Sequence, residues 1–100
     1  MKVVAVTACI AGIAHTYMAS AGLKKAAKAK GIEIYVETQG ALGIQDKLAQ
    51  KDIDEADFVI FAVDTKVSKA ERFNNKKILT VRISEAVKDA GKVIEKGIEL

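Results

Sequence analysis

Residues 3–16 read VVAVTACIAGIAHT and contain the feature that decides the fold, a short apolar run that leads through small residues into a helix. Residues 3–8 are almost continuously apolar, which is typical of a strand covered on both faces. The residues that follow are mostly small, and His15 and Thr16 open a segment with helical spacing. The stretch therefore predicts the first strand, the first loop and the first helix of an α/β fold.

Three further strands complete a predicted parallel sheet. Two are apolar runs, whereas the other, residues 32–38, alternates apolar and polar side chains, which is typical of a strand near an edge with one more polar face. Because helical segments separate the strands, the connections are right-handed crossovers that place helices on both faces of the sheet. We therefore predict a single α/β domain over residues 1–100, with four parallel strands in the order 2-1-3-4 and helices on both faces, a three-layer sandwich. The predicted strands are residues 3–8, 32–38, 58–63 and 78–81.

The predicted helices have recognisable ends. The first covers residues 16–30 and stops at Gly31, and a short second helix covers residues 44–50. Ser68 and Glu71 form a capping-box pattern, which predicts a short helix that begins near residue 69. Ser84 is predicted to cap the last helix. The predicted buried stripe of that last helix consists of Val87, Ala90, Ile94 and Ile98.

The composition excludes several classes of protein. One cysteine and one histidine supply neither a disulfide nor a zinc cluster, so we expect a reducing, cytoplasmic location and neither a metal nor a cofactor. The net charge of +3 is accompanied by 13 acidic residues and by no aromatic stacking platform, which argues against nucleic-acid binding. Four lysines on the first predicted helix form either a solvated face or a surface for an acidic partner. They are Lys24, Lys25, Lys28 and Lys30.

The candidate site lies between the first strand and the first helix. Ligands bind beyond the carboxyl ends of parallel strands where the strand order reverses, which in the order 2-1-3-4 is between strands one and three. The loops after Ala8 and Val63 therefore flank the predicted site, and Cys9 is the first residue of the former loop. Taken alone, a cysteine at a strand end is more often a small buried apolar residue.

Phosphate binding next to a nucleophile is the chemistry that fits this loop. Backbone amides of a glycine-containing loop and of a helix N-terminus converge on a phosphate, and the same positive field favours the thiolate form of Cys9. His15 either contacts the phosphate or the cysteine or is an ordinary residue of the first turn, and Thr16 either caps the helix or donates its hydroxyl. The candidate phosphate-binding residues are Ile10, Ala11, Gly12, Ile13, Ala14, His15 and Thr16.

Polar residues at the ends of other strands are candidates for the rim of the site. Gln39, with Glu37 beside it, ends the second predicted strand, and Asp64 ends the third. Arg72 either contacts a partner protein or forms an ion pair on a solvated helix.

A small cysteine phosphatase of the low-molecular-weight type, or an arsenate-reductase-like protein, is the alternative enzyme. Such a phosphatase needs an arginine six residues after the cysteine to hold the transferring phosphoryl oxygens. His15 occupies that position. The loop is therefore suited to holding a phosphoryl group and passing it on rather than to rapid hydrolysis.

At these residues the chain resembles the enzyme IIB components, fructose family, of the bacterial phosphoenolpyruvate-dependent sugar phosphotransferase system. Their signature is Cys-Pro-Thr-Gly-Ile-Ala-His-Thr, and this chain has Cys9 followed by the same residues at positions 12–16. Similarity continues through residues 17–19, 36–40, 56–64 and 71–73. The resemblance implies the parallel sheet and a phosphoryl group on Cys9, received from a phosphohistidine on a IIA domain and passed to fructose or a similar sugar. The membrane component IIC would hold that sugar and associate this domain with the membrane.

The chain departs from that signature at two loop positions. Ile10 and Ala11 stand where the family usually has proline and threonine, and Lys77 stands where proline often occurs. The first change removes a fixed φ angle and the second a hydroxyl donor. A IIB-like module with a regulatory role or without carrier activity therefore remains an alternative.

Overall fold

The computed structural model describes residues 1–10 and 13–100, and only the backbone of Ile13. Within these ranges no helix combines the length and the apolar character that crossing a membrane requires. In chain order the elements are β1 (Lys2–Ala8), α1 (Ile13–Ala29), β2 (Glu33–Gly40), β3 (Gly43–Gln45), α2 (Gln50–Glu55), β4 (Phe58–Val63), a 3₁₀ helix (Ala70–Phe73), β5 (Ile78–Val81), α3 (Ile83–Lys88) and α4 (Ala90–Ile98).

The strands form one mixed sheet in the order β3-β2-β1-β4-β5. The four predicted strands are present and pair in parallel in the predicted order. The prediction of a purely parallel, four-stranded sheet was wrong, because β3 is a fifth strand that pairs antiparallel with β2. Three residues are too few to show an alternating pattern, and the tight turn depends on Gly43, whose φ is +85°.

The short helix predicted over residues 44–50 is absent. Ile44 and Leu48 have helical spacing, but Ile44 pairs with β2, and the backbone N–H of Leu48 donates to the carboxylate of Glu37 at 2.9 Å. Helix α2 begins only at Gln50. Tertiary partners thus override the local periodicity of this segment.

Helices cover both faces of the sheet, as predicted. On one face α1, α3 and α4 pack over residues that include Val3 and Ala5, and on the other α2 and the 3₁₀ helix pack over residues that include Val4. In the second layer the rings of Phe61 and Phe73 meet edge to face with centroids 5.1 Å apart. Residues 3–8 of β1 are all buried, which confirms that this strand is covered on both sides.

The last predicted helix is two helices, α3 and α4, separated at Asp89. The Asp89 carboxylate caps α4 by accepting a hydrogen bond at 3.1 Å from the backbone N–H three residues on. Ser84 was wrongly predicted as a cap, since it lies inside α3, and the carboxylate of Glu85 instead accepts the backbone N–H of Arg82 at 3.0 Å. The predicted buried stripe ends before Ile98, which is 45% exposed.

Helix α4 packs closely against the sheet at Gly97. A Cβ atom at this position would lie 2.1 Å from the ring of Phe58, which is itself buried. The absence of a side chain therefore allows the helix to pack directly on the aromatic ring.

Candidate functional site

Cys9 directly follows β1 at the carboxyl edge of the sheet. Its backbone N–H donates to the carbonyl of Gln39 at 3.1 Å, which continues the parallel pairing of β1 with β2 one residue past the end of β1. The residue is 9% exposed and packs with the core between the sheet and α1. Cys9 is thus fixed by the sheet itself rather than by a free loop.

Cys9 also borders a cavity of about 290 Å³ that is open to solvent. One wall comes from the end of β2 and another from the segment after β4. The residue is therefore both a neighbour of the core and part of a solvent-accessible cavity. The lining residues are Cys9, Ile10, Gln39, Gly40, Thr65, Lys66 and Ser68.

The residues of the predicted phosphate loop have different positions. Ile10 is 76% exposed and lines the cavity, and helix α1 begins at Ile13. Ala11 and Gly12 lie outside the described residues, as does the side chain of Ile13.

Ala14 and His15 are exposed on the first turn of α1. Thr16 is buried, and its carbonyl accepts the hydroxyl of Thr7 at 3.1 Å. Because α1 begins three residues earlier, at Ile13, the interpretation of Thr16 as the helix cap was wrong.

The two predicted rim residues border different cavities. Gln39 lines the cavity of Cys9. Asp64 instead borders a neighbouring open groove of about 600 Å³, together with Arg82 and Ser84. The backbone N–H of Asp64 donates to the carbonyl of Ala8 at 2.9 Å, so the loops after β1 and β4 meet as expected for a strand-order reversal.

Glu37 and Arg72 form a buried ion pair behind the cavity. The two terminal nitrogens of the guanidinium donate to the two carboxylate oxygens at 2.8 and 2.9 Å, and the exposed fractions of the side chains are 12% for Arg72 and 0% for Glu37. Burial raises the pKa of Glu37, but hydrogen bonds from Arg72, Gln39 and the backbone of Leu48 outweigh it and lower the pKa below its ordinary value. The predicted ion pair of Arg72 is therefore present, but it is buried rather than solvated. Contact of Arg72 with a partner protein stays a prediction.

Gln39 connects this ion pair to the segment after β4. Its Nε2 donates to Glu37 Oε2 at 2.7 Å and to the carbonyl of Ser68 at 3.1 Å, while its Oε1 accepts the backbone N–H of Ser68 at 2.8 Å. The predicted capping box of Ser68 and Glu71 was wrong, because the residue before the 3₁₀ helix is Lys69, in a left-handed conformation, with no side-chain cap.

Four residues of the cavity wall were not predicted from the sequence: Gly40 at the end of β2, and Thr65, Lys66 and Ser68 after β4. The last three follow the third predicted strand, in the loop already expected to flank the site. Their position at the carboxyl end of that strand was the available signal, but only Asp64 was selected from this loop. The omission matters because Lys66 brings a cation to the cavity.

The matching family model and three similar proteins carry descriptions of phosphotransferase-system components. The family model described as "PTS system, Lactose/Cellobiose specific IIB subunit" matches residues 4–96. The chain is 50% identical over 95 residues to the "PTS system fructose-like EIIB component 2" of Escherichia coli (strain K12), which covers 95% of this chain and 90% of that protein.

Two further proteins extend the comparison. The "PTS system fructose-specific EIIABC component" of Bacillus subtilis (strain 168) is 44% identical over 97 residues, which are 97% of this chain and 15% of that protein. The crystal structure of a domain of a fructose-specific IIABC component from Borrelia burgdorferi superposes with a TM-score of 0.93 at 39% identity and covers 98% of this chain and 93% of that one.

Proposed function

This chain belongs to the IIB components of the sugar phosphotransferase system, which are phosphotransferases, and from that premise we propose that Cys9 is the residue that carries the phosphoryl group. The observation that carries the proposal is the position of Cys9. It stands at the carboxyl edge of the sheet, borders a cavity, and precedes the N-terminus of a 17-residue helix. This is the place in the fold where an anion is best stabilised.

The reaction consists of two displacements at phosphorus. In the first, the Cys9 thiolate attacks the phosphorus of a phosphohistidine on a IIA domain, so a P–S bond forms and the P–N bond breaks. The departing imidazole nitrogen keeps the electron pair and takes up a proton. In the second, a sugar hydroxyl oxygen attacks the same phosphorus, the P–S bond breaks, and Cys9 is regenerated as a thiolate while the hydroxyl proton passes to solvent.

The residues around Cys9 hold the transferred group. The backbone amides of residues 10–16 are the proposed phosphate ligands, with the positive end of α1 adding a favourable field. His15, exposed on the first turn, is positioned on the same helix end. The side chain of Gln39 borders the cavity from the opposite wall.

The proposed partners are a IIA domain as donor and a membrane IIC component with bound sugar as acceptor, at the cytoplasmic face of a membrane. Support comes from the relative of Bacillus subtilis, whose name places A, B and C components in one protein. Fructose or a fructose-like sugar is the proposed substrate. The names of the relatives support it, whereas the family model is described by lactose and cellobiose.

The test is transfer from a IIA domain phosphorylated on histidine. We expect one phosphoryl group on the intact chain by mass spectrometry, located on Cys9 by peptide mapping, and none on Cys9→Ser. His15→Gln is the matched control, because it removes the one histidine of the chain and should still carry the label at completion. Absence of label on Cys9 under an excess of donor would favour a IIB-like regulatory module. Turnover of an aryl phosphate by the isolated chain would favour a phosphatase.

A further inference from the structure

The segment between β4 and the 3₁₀ helix, residues 64–69, is called the β4 loop here and forms one wall of the Cys9 cavity. It contributes Thr65, Lys66 and Ser68 to the lining. Lys66 is exposed, and within the part of the chain that the structure describes it forms no ion pair. Its ammonium group is the cation that the β4 loop brings to the cavity.

Gln39 holds the β4 loop at two points. Its Oε1 accepts the backbone N–H of Ser68 at 2.8 Å, and its Nε2 donates to the carbonyl of the same residue at 3.1 Å. The carbonyl of Gln39 also accepts the backbone N–H of Cys9 at 3.1 Å. One residue therefore links both walls of the cavity, and together with the hydrogen bond from the Asp64 N–H to the Ala8 carbonyl it sets the distance between Cys9 and the β4 loop.

Glu37 and Arg72 fix the orientation of the Gln39 amide. Nε2 of Gln39 donates to Glu37 Oε2 at 2.7 Å, and an amide turned by half a rotation would place an oxygen against that carboxylate. Arg72 holds Glu37 with two hydrogen bonds and donates from Nε to the carbonyl of Lys69 at 2.8 Å. The loop is thus fastened at two successive residues, Ser68 and Lys69.

We infer that Gln39 is a positioning residue of the carrier site, which sets the β4 loop so that the ammonium group of Lys66 meets the phosphoryl group on Cys9. This inference rests on the proposed function. A phosphoryl group on sulfur brings negative charge into the cavity, and an ammonium group that lines the same cavity stabilises that charge electrostatically. Gln39 touches the loop backbone and leaves the electrostatic contact to Lys66.

The test is a double-mutant cycle on the rate of phosphoryl transfer from a histidine-phosphorylated IIA domain. Lys66→Met and Gln39→Met should each slow labelling of Cys9 about tenfold, because a misplaced group loses most of its effect. The double variant should be no slower than either single one, since Lys66 acts only where Gln39 places it. Lys77→Met is the matched control for lost charge, because Lys77 precedes β5 at the opposite edge of the sheet, and it should label at the rate of the unmodified chain.

The outcomes separate the possible failures. The positioning role is overturned, while the carrier function stands, if the fold-reductions of the two single variants multiply in the double variant. A Gln39→Met protein that is labelled at the normal rate overturns it as well. An unmodified chain that accepts no label overturns both. If Gln39→Met does not fold by circular dichroism, Arg72→Lys takes its place in the cycle, because it keeps the charge but loses the fork that holds Glu37 and Lys69. If Gln39 contributes to stability alone, Gln39→Met should lower the melting temperature, and the fold-reductions in labelling rate of the two single variants should multiply in the double variant.

Discussion

The carboxylate of Glu37 is completely buried and accepts hydrogen bonds from both terminal nitrogens of the Arg72 guanidinium, with N–O distances of 2.8 and 2.9 Å. Each oxygen accepts one further hydrogen bond, from the backbone of Leu48 or from the amide of Gln39. All the acceptor positions of the carboxylate are thus filled. The pair joins β2 to the 3₁₀ helix, two elements far apart in sequence.

Removing one partner of this pair should be costly. We expect Arg72→Met to lower the free energy of unfolding by about 3–5 kcal/mol, because it leaves a buried carboxylate without its cation. Arg82→Met removes an exposed arginine and should change it by less than about 0.5 kcal/mol. Urea unfolding measures both, and equal effects of the two substitutions would contradict the buried pair.

Replacing both partners should cost much less than removing one. In Glu37→Leu combined with Arg72→Met, neither charge remains to be compensated, so most of the stability lost by Arg72→Met alone should return. A double variant that is less stable than Arg72→Met would show that the apolar side chains do not fit the space.

The stability contributed by Glu37 should depend on pH. Its pKa in the folded protein lies below the ordinary value of 4.5, so the folded state favours the ionised form. The contribution is therefore fully present above about pH 4.5 and is lost as the pH falls through the lower, folded-state pKa. The difference in unfolding free energy between the unmodified chain and Glu37→Gln should narrow in that acidic range. A difference that stays constant down to about pH 2 would contradict the assignment.

Two glycines of α4 should respond in opposite directions to alanine. In Gly97→Ala the new Cβ would meet the ring of Phe58 at 2.1 Å, and we expect a loss of about 1–3 kcal/mol. In Gly91→Ala the nearest contact is an ordinary 3.7 Å to Asp89, and the better helix former should add about 0.5–1 kcal/mol. The melting temperatures of both variants, measured by thermal unfolding, test these opposite effects. Similar melting temperatures would mean that α4 shifts away from the sheet without cost.

The Lys69→Gly variant should be more stable toward unfolding than the Lys69→Ala variant. Its φ of 59° lies in the left-handed region, which costs a residue with a Cβ about 1 kcal/mol. Lys69→Ala keeps that cost and Lys69→Gly removes it, so the glycine variant should unfold at the higher urea concentration. The reverse order would place the residue in another conformation.

The parallel part of the fold could be predicted because its strands are short apolar runs or, in β2, an alternation of apolar and polar residues. Residues 58–63, for example, contain no polar side chain, and their position between two other strands follows from that. β3 could not be predicted, because its three residues are specified by the turn at Gly43 and by pairing with β2. The break at Asp89 was missed because Val87 and Ile94 continue the same helical spacing on both sides of it.

The location of the candidate site could be predicted, but its supporting hydrogen bonds could not. The position of Cys9 between β1 and α1 follows from chain order alone. Glu37 and Arg72 are 35 positions apart in the sequence, so their contact depends on the path of the chain between them. Nothing in either local sequence indicates which acid the arginine will meet. Gln39 was selected as a rim residue for its place at a strand end, whereas its two bonds to Ser68 required the folded loop.

If Cys9 carries the phosphoryl group as proposed, the hydrogen bond from its N–H to the Gln39 carbonyl makes the register of β1 against β2 a condition for phosphoryl transfer. Successive residues of a strand point to opposite faces, so a slip of one residue between β1 and β2 would turn the sulfur away from its cavity. Such misregistered chains would retain most of their far-ultraviolet circular dichroism signal and yet accept no phosphoryl group. The fraction of refolded molecules competent for transfer therefore reports how faithfully the sheet has assembled.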